Sequence, residues 1–339
     1  DVKEGRFSPA VVYDGDTPVE YASVPLTCYE GKGYRRETFE SISTLLENYY
    51  ASRDTITRIR QKSSDLRRIV QTALERSCKK YDLQLKQLKD TEKREKYRIY
   101  GELLNTYGYE LKGGEKSFKC INYYDNEEIT IPLDPQLTAR ENAQKHFDKY
   151  NKLKRTYEAL SQLTMETKAE VDHLESVSSA LDIALEENDL VQIKEELMEF
   201  GYVKKRRANE KRPKITSKPF HYISSDGYDI FVGKNNYQNE ELTFKVASGN
   251  DWWFHAKGIP GSHAIVKSNG QADLPDRVFE EAGALAAYYS KGRENDKVEI
   301  DYIQKKNIKK VAGAAPGFVI YHTNYSLVAS PRCDLKEVK

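Results

Sequence analysis

No proline occurs between Glu37 and Pro132, and across that span apolar residues recur at intervals of three and four. Ile56, Ile59, Leu66, Ile69, Val70, Ala73, Leu74, Tyr81, Leu85 and Leu88 form the stripe, with Lys, Arg, Glu and Asp between them. That spacing is the period of a long amphipathic helix. A break follows at Tyr107-Gly108 and Gly113-Gly114. The alternation through Phe118, Cys120, Ile121 and Tyr123, then Ile129 and Ile131, reads as a short β segment turning at Tyr124-Asp125-Asn126. Beyond Pro132 and Pro135 the helical spacing resumes through Ala143, Phe147, Tyr150, Tyr157, Leu160, Thr164, Val171, Leu174 and Leu181. Two long helices separated by a small β tip predict an antiparallel coiled-coil hairpin over residues 37–200, with the tip near 115–134. At ~1.5 Å per residue, such helices would project a stalk on the order of 60–70 Å.

A long, thin helical element also accounts for a composition that is 32% charged against 38% hydrophobic over 339 residues. A two-helix coiled coil buries one seam and leaves most positions in water. The 54 Lys and Arg residues nearly cancel the 53 Asp and Glu residues, so any affinity for nucleic acid has to come from local basic patches. Cys28, Cys78, Cys120 and Cys333 lie far apart with no CxxC pair. This argues against a zinc module or a disulfide framework and for a reducing cytoplasm. No run of about 18 apolar residues offers a membrane span. The chain opens on Asp1 rather than Met, as a fragment or a processed form would.

Residues 1–36 are punctuated by Gly and Pro around short apolar runs such as Ala10-Val11-Val12-Tyr13, the expected remnant of a preceding β-containing region. Residues 201–219 read as a basic linker, with Lys204, Lys205, Arg206, Arg207, Lys211, Arg212, Lys214 and Lys218 against the single acid Glu210. From Phe220 the texture changes to short strands, expected at residues 228–232, 242–247, 252–256, 264–267, 298–302 and 317–321. They surround one helix that opens at Pro275 and carries Val278, Ala282, Leu285 and Tyr289 on one stripe. Residues 220–339 are therefore expected to form an α+β domain with a mainly antiparallel sheet.

Within that domain the run Asp251-Trp252-Trp253-Phe254-His255-Ala256-Lys257-Gly258-Ile259-Pro260-Gly261-Ser262-His263 concentrates both tryptophans and two of the six histidines. Read as strand, turn, strand, it puts Asp251, Trp253 and His255 on one face and Trp252, Phe254 and Ala256 on the other. A hairpin centred near Ile259 would set His255 opposite His263, yet Asp251 lies four residues away along the strand, about 13 Å, too far to complete a metal site. Ser262 directly precedes His263, and adjacent strand residues point to opposite faces, so a hydrolytic pair is not formed either. No metal, cofactor or catalytic residue is expected. Trp252 and Phe254 are expected in the core. Trp253, flanked on its own face by His255 and Lys257, has the makings of a stacking platform with a nearby cation, as unpaired bases require. Lys305, Lys306, Lys309 and Lys310 follow a strand, and Lys291 and Arg293 end the preceding helix, so RNA phosphate is the expected ligand. Gly233-Lys234-Asn235-Asn236 adds a tight turn with amide donors, expected to support the site.

These residues carry a resemblance. Ser224-Ser225-Asp226-Gly227, the run from Val232 to Asn239, the Trp253 and His255 segment with Gly261-Ser262-His263, Ala286-Ala287-Tyr288-Tyr289-Ser290-Lys291 and the stretch from Pro316 to Tyr321 resemble the C-terminal NFACT-R domain. A D-x-W-x-H pattern of that domain falls on Asp251, Trp253 and His255. Upstream, the residues from Arg58 to Leu66, Tyr100-Gly101-Glu102-Leu103-Leu104, Ile131-Pro132-Leu133-Asp134, Glu141-Asn142-Ala143 and the residues from Lys149 to Lys154 are similar to the family's middle coiled-coil region. The family includes bacterial ribosome quality-control proteins of the RqcH type, also labelled fibronectin- or fibrinogen-binding proteins.

The resemblance implies a non-enzymatic, cytoplasmic, ribosome-associated protein. It implies binding to the large ribosomal subunit (50S), to rRNA and to tRNA, including peptidyl-tRNA and alanyl-tRNA, in support of alanine tailing of stalled chains. The family's N-terminal NFACT-N domain and most of its helix-hairpin-helix region are expected to be lacking, so tailing is not expected of this segment alone. Taken with the charge clusters and the aromatic face, the expected RNA-binding residues are Asp251, Trp253, His255, Lys257, Ser262, His263, Lys291, Lys305, Lys306, Lys309 and Lys310. The rival expectation is a cell-surface adhesin that binds fibronectin or fibrinogen, against which stand four cysteines with no evident pairing and a C-terminal end without an anchor sequence.

Overall fold

The computed structural model describes residues 7–14, 17–31, 33–206, 213–271 and 273–338. The chain divides into two compact units, one formed by Asp1–Ala73 with Asp172–Lys339 and the other by Leu74–Val171. Of the basic linker, Arg207, Glu210, Lys211 and Arg212 lie outside the described residues.

The first unit begins with a three-stranded antiparallel sheet, β1 (Ala10–Asp14), β2 (Thr17–Ala22) and β3 (Arg35–Thr38), in the order β2-β1-β3. Helix α1 (Ile42–Thr91) opens with the Ser41 hydroxyl accepting from the Thr44 amide at 3.1 Å, an N-terminal cap. Its first turns pack Leu45 and Tyr49 against Val11 and Tyr13. Farther along the helix, Ile59, Leu66 and Val70 are buried, as are Leu174, Val177 and Leu181 of α3 (Ala139–Ile183). Arg67 of α1 spans to α3, where its guanidinium donates to the Leu181 carbonyl and pairs with Asp182. A capping box of Glu186 and Asp189 starts α4 (Glu187–Glu199), and Arg58 of α1 reaches Glu187 at 3.2 Å.

In the second unit, α2 (Arg94–Tyr107) runs antiparallel to α3: Arg94 lies over Tyr157, while Gly101 faces the Phe147 ring. A Cβ at Gly101 would stand 2.7 Å from Phe147 Cζ, so glycine is what lets the helices approach there. The tip is a hairpin of β4 (Ser117–Ile121) and β5 (Glu128–Pro132), with Asn126 at φ 59° in its turn. Phe118 and Ile131 of the hairpin join Leu103, Leu104 and Ala143 in one core.

The C-terminal part of the first unit is built on a six-stranded antiparallel sheet. Its strands are β6 (Phe220–Ile223), β7 (Asp229–Val232), β8 (Trp252–Ala256), β9 (Ala264–Val266), β10 (Val298–Gln304) and, after two short strands, β13 (Tyr325–Ala329). The order is β13-β10-β8-β9-β7-β6. Helix α6 (Asp276–Tyr288) lies on one face, where Val278, Ala282, Leu285 and Tyr289 meet Phe254, Ala256, Val266 and Ile300. The other face carries a second core in which Trp253, Ile265 and Ile303 meet Leu242 and Ile308. This second core corrects the strand expected at 242–247. That segment is helix α5 (Asn236–Glu241) continued by a wider π-type turn at Leu242–Val246. The Asn235 side chain accepts from the Gln238 amide and starts a helix there, which overrides the strand-like alternation. Strands β11 (Lys309–Lys310) and β12 (Val319–Ile320) form a separate two-stranded ribbon.

Candidate nucleic-acid interface

The expected aromatic platform is not where alternation placed it. Trp253 keeps the predicted face, opposite Phe254, but that face is roofed by the Leu242–Val246 turn and by Tyr321, and only 1% of Trp253 is exposed. A ring enclosed on both sides cannot stack on a base, so Trp253 is a core residue. Trp252, expected in the core, is half-buried and packs edge-on against Phe279 at 5.0 Å.

Asp251 is buried and serves its own loop. It accepts from the amides of Ser248 and Ser268 at 2.7 and 2.9 Å and pairs with Lys267. Burial pushes its carboxyl up, but the Lys267 ammonium and these amides more than offset that and hold it below the usual range. His255 and His263 meet edge to face, ring centroids 5.4 Å apart, and His255 also stacks on Trp253 at 5.6 Å. The His263 Nδ1 shares a hydrogen with the Thr243 hydroxyl at 2.8 Å, and its backbone amide donates to Asn239 Oδ1 at 3.0 Å. Burial lowers the His255 imidazole to about 4 and the His263 imidazole well below its ordinary value. Ser262 is buried too. Asp251, Trp253, Ser262 and His263 therefore build the hairpin rather than offer it to RNA. Among the described residues, no group of three His, Cys, Asp or Glu side chains could hold a metal ion.

The lysines stand differently. Lys257 is exposed and paired with Glu299, and Lys291 reaches Glu175 of α3 at 2.9 Å. Lys305 and Lys306 sit on a short 3₁₀ turn after β10, followed by buried Ile308 and then by Lys309 and Lys310 in β11. Lys310 is paired with Glu240 at 2.6 Å, and the Lys305 ammonium lies 5.9 Å from the Phe244 ring centroid. Lys306 and Lys309 are exposed and carry no ion pair among the described residues. Ile308, pinned in the second core, fixes the turn that presents them.

Gly233, Lys234, Asn235 and Asn236 form no open phosphate turn. Lys234, Asn235 and Asn236 are buried against α4: the Lys234 ammonium is 3.4 Å from Asp189 and over the Phe220 ring, and Asn235 donates to Gln192 at 2.9 Å. The Asn236 amide donates to Ser176 of α3 and to Glu196, which also meets His173 at 2.8 Å. Within this unit the segment joins the sheet to the helices through a buried polar network.

Sequence reasoning missed an aromatic group at the β13 edge. Tyr302 and Tyr325 stack at 5.4 Å, and Trp252 lies 5.8 Å from Tyr302, with Tyr325 62% exposed. The signal was the alternation Tyr325, Leu327, Ala329. It also missed the Asp301 cluster, in which the carboxylate accepts from Tyr321, Asn324 and Ser326 at 2.8–2.9 Å; no local spacing announces groups so far apart in sequence.

Comparison with known proteins agrees with this architecture. Residues 1–216 match the family described as NFACT N-terminal and middle domains, and residues 218–322 match the NFACT protein RNA binding domain. The chain is 42% identical over 326 residues to a protein named Rqc2 homolog RqcH from Streptococcus suis, across 95% of this chain and 57% of that protein. It is 35% identical over 338 residues to the Bacillus subtilis protein of the same name, across 98% of this chain and 58% of that one. The chain thus spans somewhat over half the length of these relatives. The solved C-terminal part of a fibronectin/fibrinogen-binding protein from Streptococcus suis superposes with a TM-score of 0.64 at 38% identity, covering 82% of this chain and 97% of that one. With both of its parts matched, the chain belongs to the NFACT family and carries that family's RNA-binding domain.

Proposed function

We propose that this chain is the middle and RNA-binding portion of a ribosome-associated quality-control factor. It binds the large ribosomal subunit through rRNA and tRNA on stalled nascent-chain complexes, in the cytoplasm. In the whole protein it supports alanine tailing, with peptidyl-tRNA and alanyl-tRNA as partners. The segment acts by binding and carries out no reaction itself.

The observation that carries this reading is the presentation of Lys306 and Lys309, exposed and without ion pairs among the described residues, on a turn anchored by Ile308 in a domain matched to an RNA-binding family. Lysines held free of acids on a rigid turn suit phosphate, and releasing counterions from RNA makes such binding salt-dependent. The test is titration of the chain with 50S subunits at several salt concentrations. Replacing Lys305, Lys306, Lys309 and Lys310 with Ala should weaken binding and flatten the salt dependence, by about 0.7–0.9 in log K per log salt for each phosphate no longer neutralised. Unchanged affinity and slope would contradict the assignment.

A second reading rests on the solved relative whose name is fibronectin/fibrinogen-binding protein. Capture of the chain by immobilised fibronectin, undiminished by the same lysine substitutions, would favour it.

A further inference from the structure

The helical unit formed by Leu74–Val171 holds a second concentration of positive charge. Tyr97 of α2 stacks on His146 of α3, with ring centroids 6.1 Å apart and an interplanar angle of 19°. Two ammonium groups converge on the Tyr97 ring from different helices: Lys149 of α3 at 4.4 Å from the ring centroid and Lys96 of α2 at 5.1 Å. Nearby lysines are neutralised, Lys93 by Asp90 at 3.3 Å and Lys145 by Asp134 at 2.8 Å. Lys96 and Lys149 are exposed and have no carboxylate partner among the described residues. Farther along α3, Lys152, Lys154 and Arg155 are exposed as well.

The charge is felt by the groups it surrounds. The Tyr97 phenol is lowered, chiefly by the Lys149 ammonium beside it. Burial lowers the His146 imidazole, the Pro132 carbonyl raises it in part, and Lys149 and Lys145 lower it further. Two like charges gathered at one ring without an acid repel each other, and an anion placed between them removes that repulsion. Two ammonium groups and a phenolic hydroxyl supply donors from several directions. The non-bridging oxygens of a phosphodiester can accept from all of them. The basic continuation along α3 favours a polyanion over a single ion.

We propose that Lys96, Tyr97 and Lys149 form a clamp across α2 and α3 for the phosphate backbone of RNA, a contact additional to the lysines at 305–310. The clamp rests on the RNA-binding reading above and extends it to the helical unit, and backbone contacts of this kind position RNA without reading its sequence.

The test titrates the 339-residue chain with a labelled RNA hairpin at several salt concentrations. Lys96→Gln with Lys149→Gln should reduce the magnitude of the salt slope by about 1–2, the equivalent of one or two phosphates. Lys96→Arg with Lys149→Arg should restore most of it. Lys93→Gln with Lys145→Gln, at positions already paired with acids, should leave the slope near that of the parent chain. Tyr97→Phe, which keeps the ring, should weaken binding a few-fold without changing the unfolding midpoint.

An unchanged slope for the Lys96 and Lys149 glutamine variant, alongside weakened binding when the lysines at 305–310 are replaced, would overturn the clamp and leave the RNA reading standing. Absence of RNA binding by the parent chain would overturn both. Loss of polyglutamate binding in the glutamine variant, with RNA binding intact, would assign the patch to an acidic protein and overturn the clamp.

Discussion

Trp253 fills the space between the sheet and the Leu242–Val246 turn, so Trp253→Ala should cost about 3–5 kcal/mol in a denaturant titration. Trp253→Phe, which keeps an aromatic ring in the core, should bind RNA like the parent chain; a large loss in that folded variant would restore a direct role for the indole. The two histidines beside it predict a pH dependence. Burial holds His255 at about 4 and His263 well below its ordinary value, while the unfolded chain protonates both near pH 6.5, at about the free imidazole value. The unfolded state therefore binds more protons in that window, and stability, full above about pH 6.5, falls as pH drops toward about 4. Chemical denaturation at about pH 7.5 and about pH 5 should show this fall, and His255→Gln should make it shallower. A midpoint independent of pH would contradict the lowered values of His255 and His263. Alternation along the aromatic run correctly separated Trp253 from Phe254, because pleating alone fixes that. It could not show that both faces are covered, because the roof over Trp253 comes from Leu242 and Ile308.

The turn at Gly233 to Asn236 decides how the sheet meets the helices of its unit. A Cβ on Gly233 would stand 2.2 Å from Asn239 Oδ1, the oxygen that accepts from the His263 amide. Gly233→Ala should therefore displace Asn239 and lower the unfolding midpoint. Asn236→Ala removes a donor from buried Glu196 and should destabilise by about 1–3 kcal/mol, the cost of a buried polar group left short of a partner. A variant as stable as the parent would show that the network contributes nothing. The two long helices and the hairpin between them were legible, because their periods of 3.6 and 2 run over many residues. The π-type turn was not, since Leu242, Phe244 and Val246 read as a strand until the Asn235 cap is seen to start a helix. The start of α4 depended on Glu186 and Asp189 closing a capping box, a short signal inside a charged stretch.

Across the whole molecule, near-neutral net charge hides local excess. The exposed lysines on the turn after β10 and the pair at Tyr97 occur in a chain of 54 basic and 53 acidic residues, so the RNA affinity proposed for it rests on local patches such as these. The family was legible from ordered motifs distributed along the chain. The basic cluster with Lys306 and Lys309 was legible too, whereas the burial of Asp251 and His263 was not, because they belong to motifs that the fold uses to hold itself together. A cryo-EM map of this chain bound to 50S subunits tests the account most directly. The account predicts rRNA or tRNA backbone within contact distance of Lys306 and Lys309. A map in which that turn faces solvent while the chain is held elsewhere would contradict it.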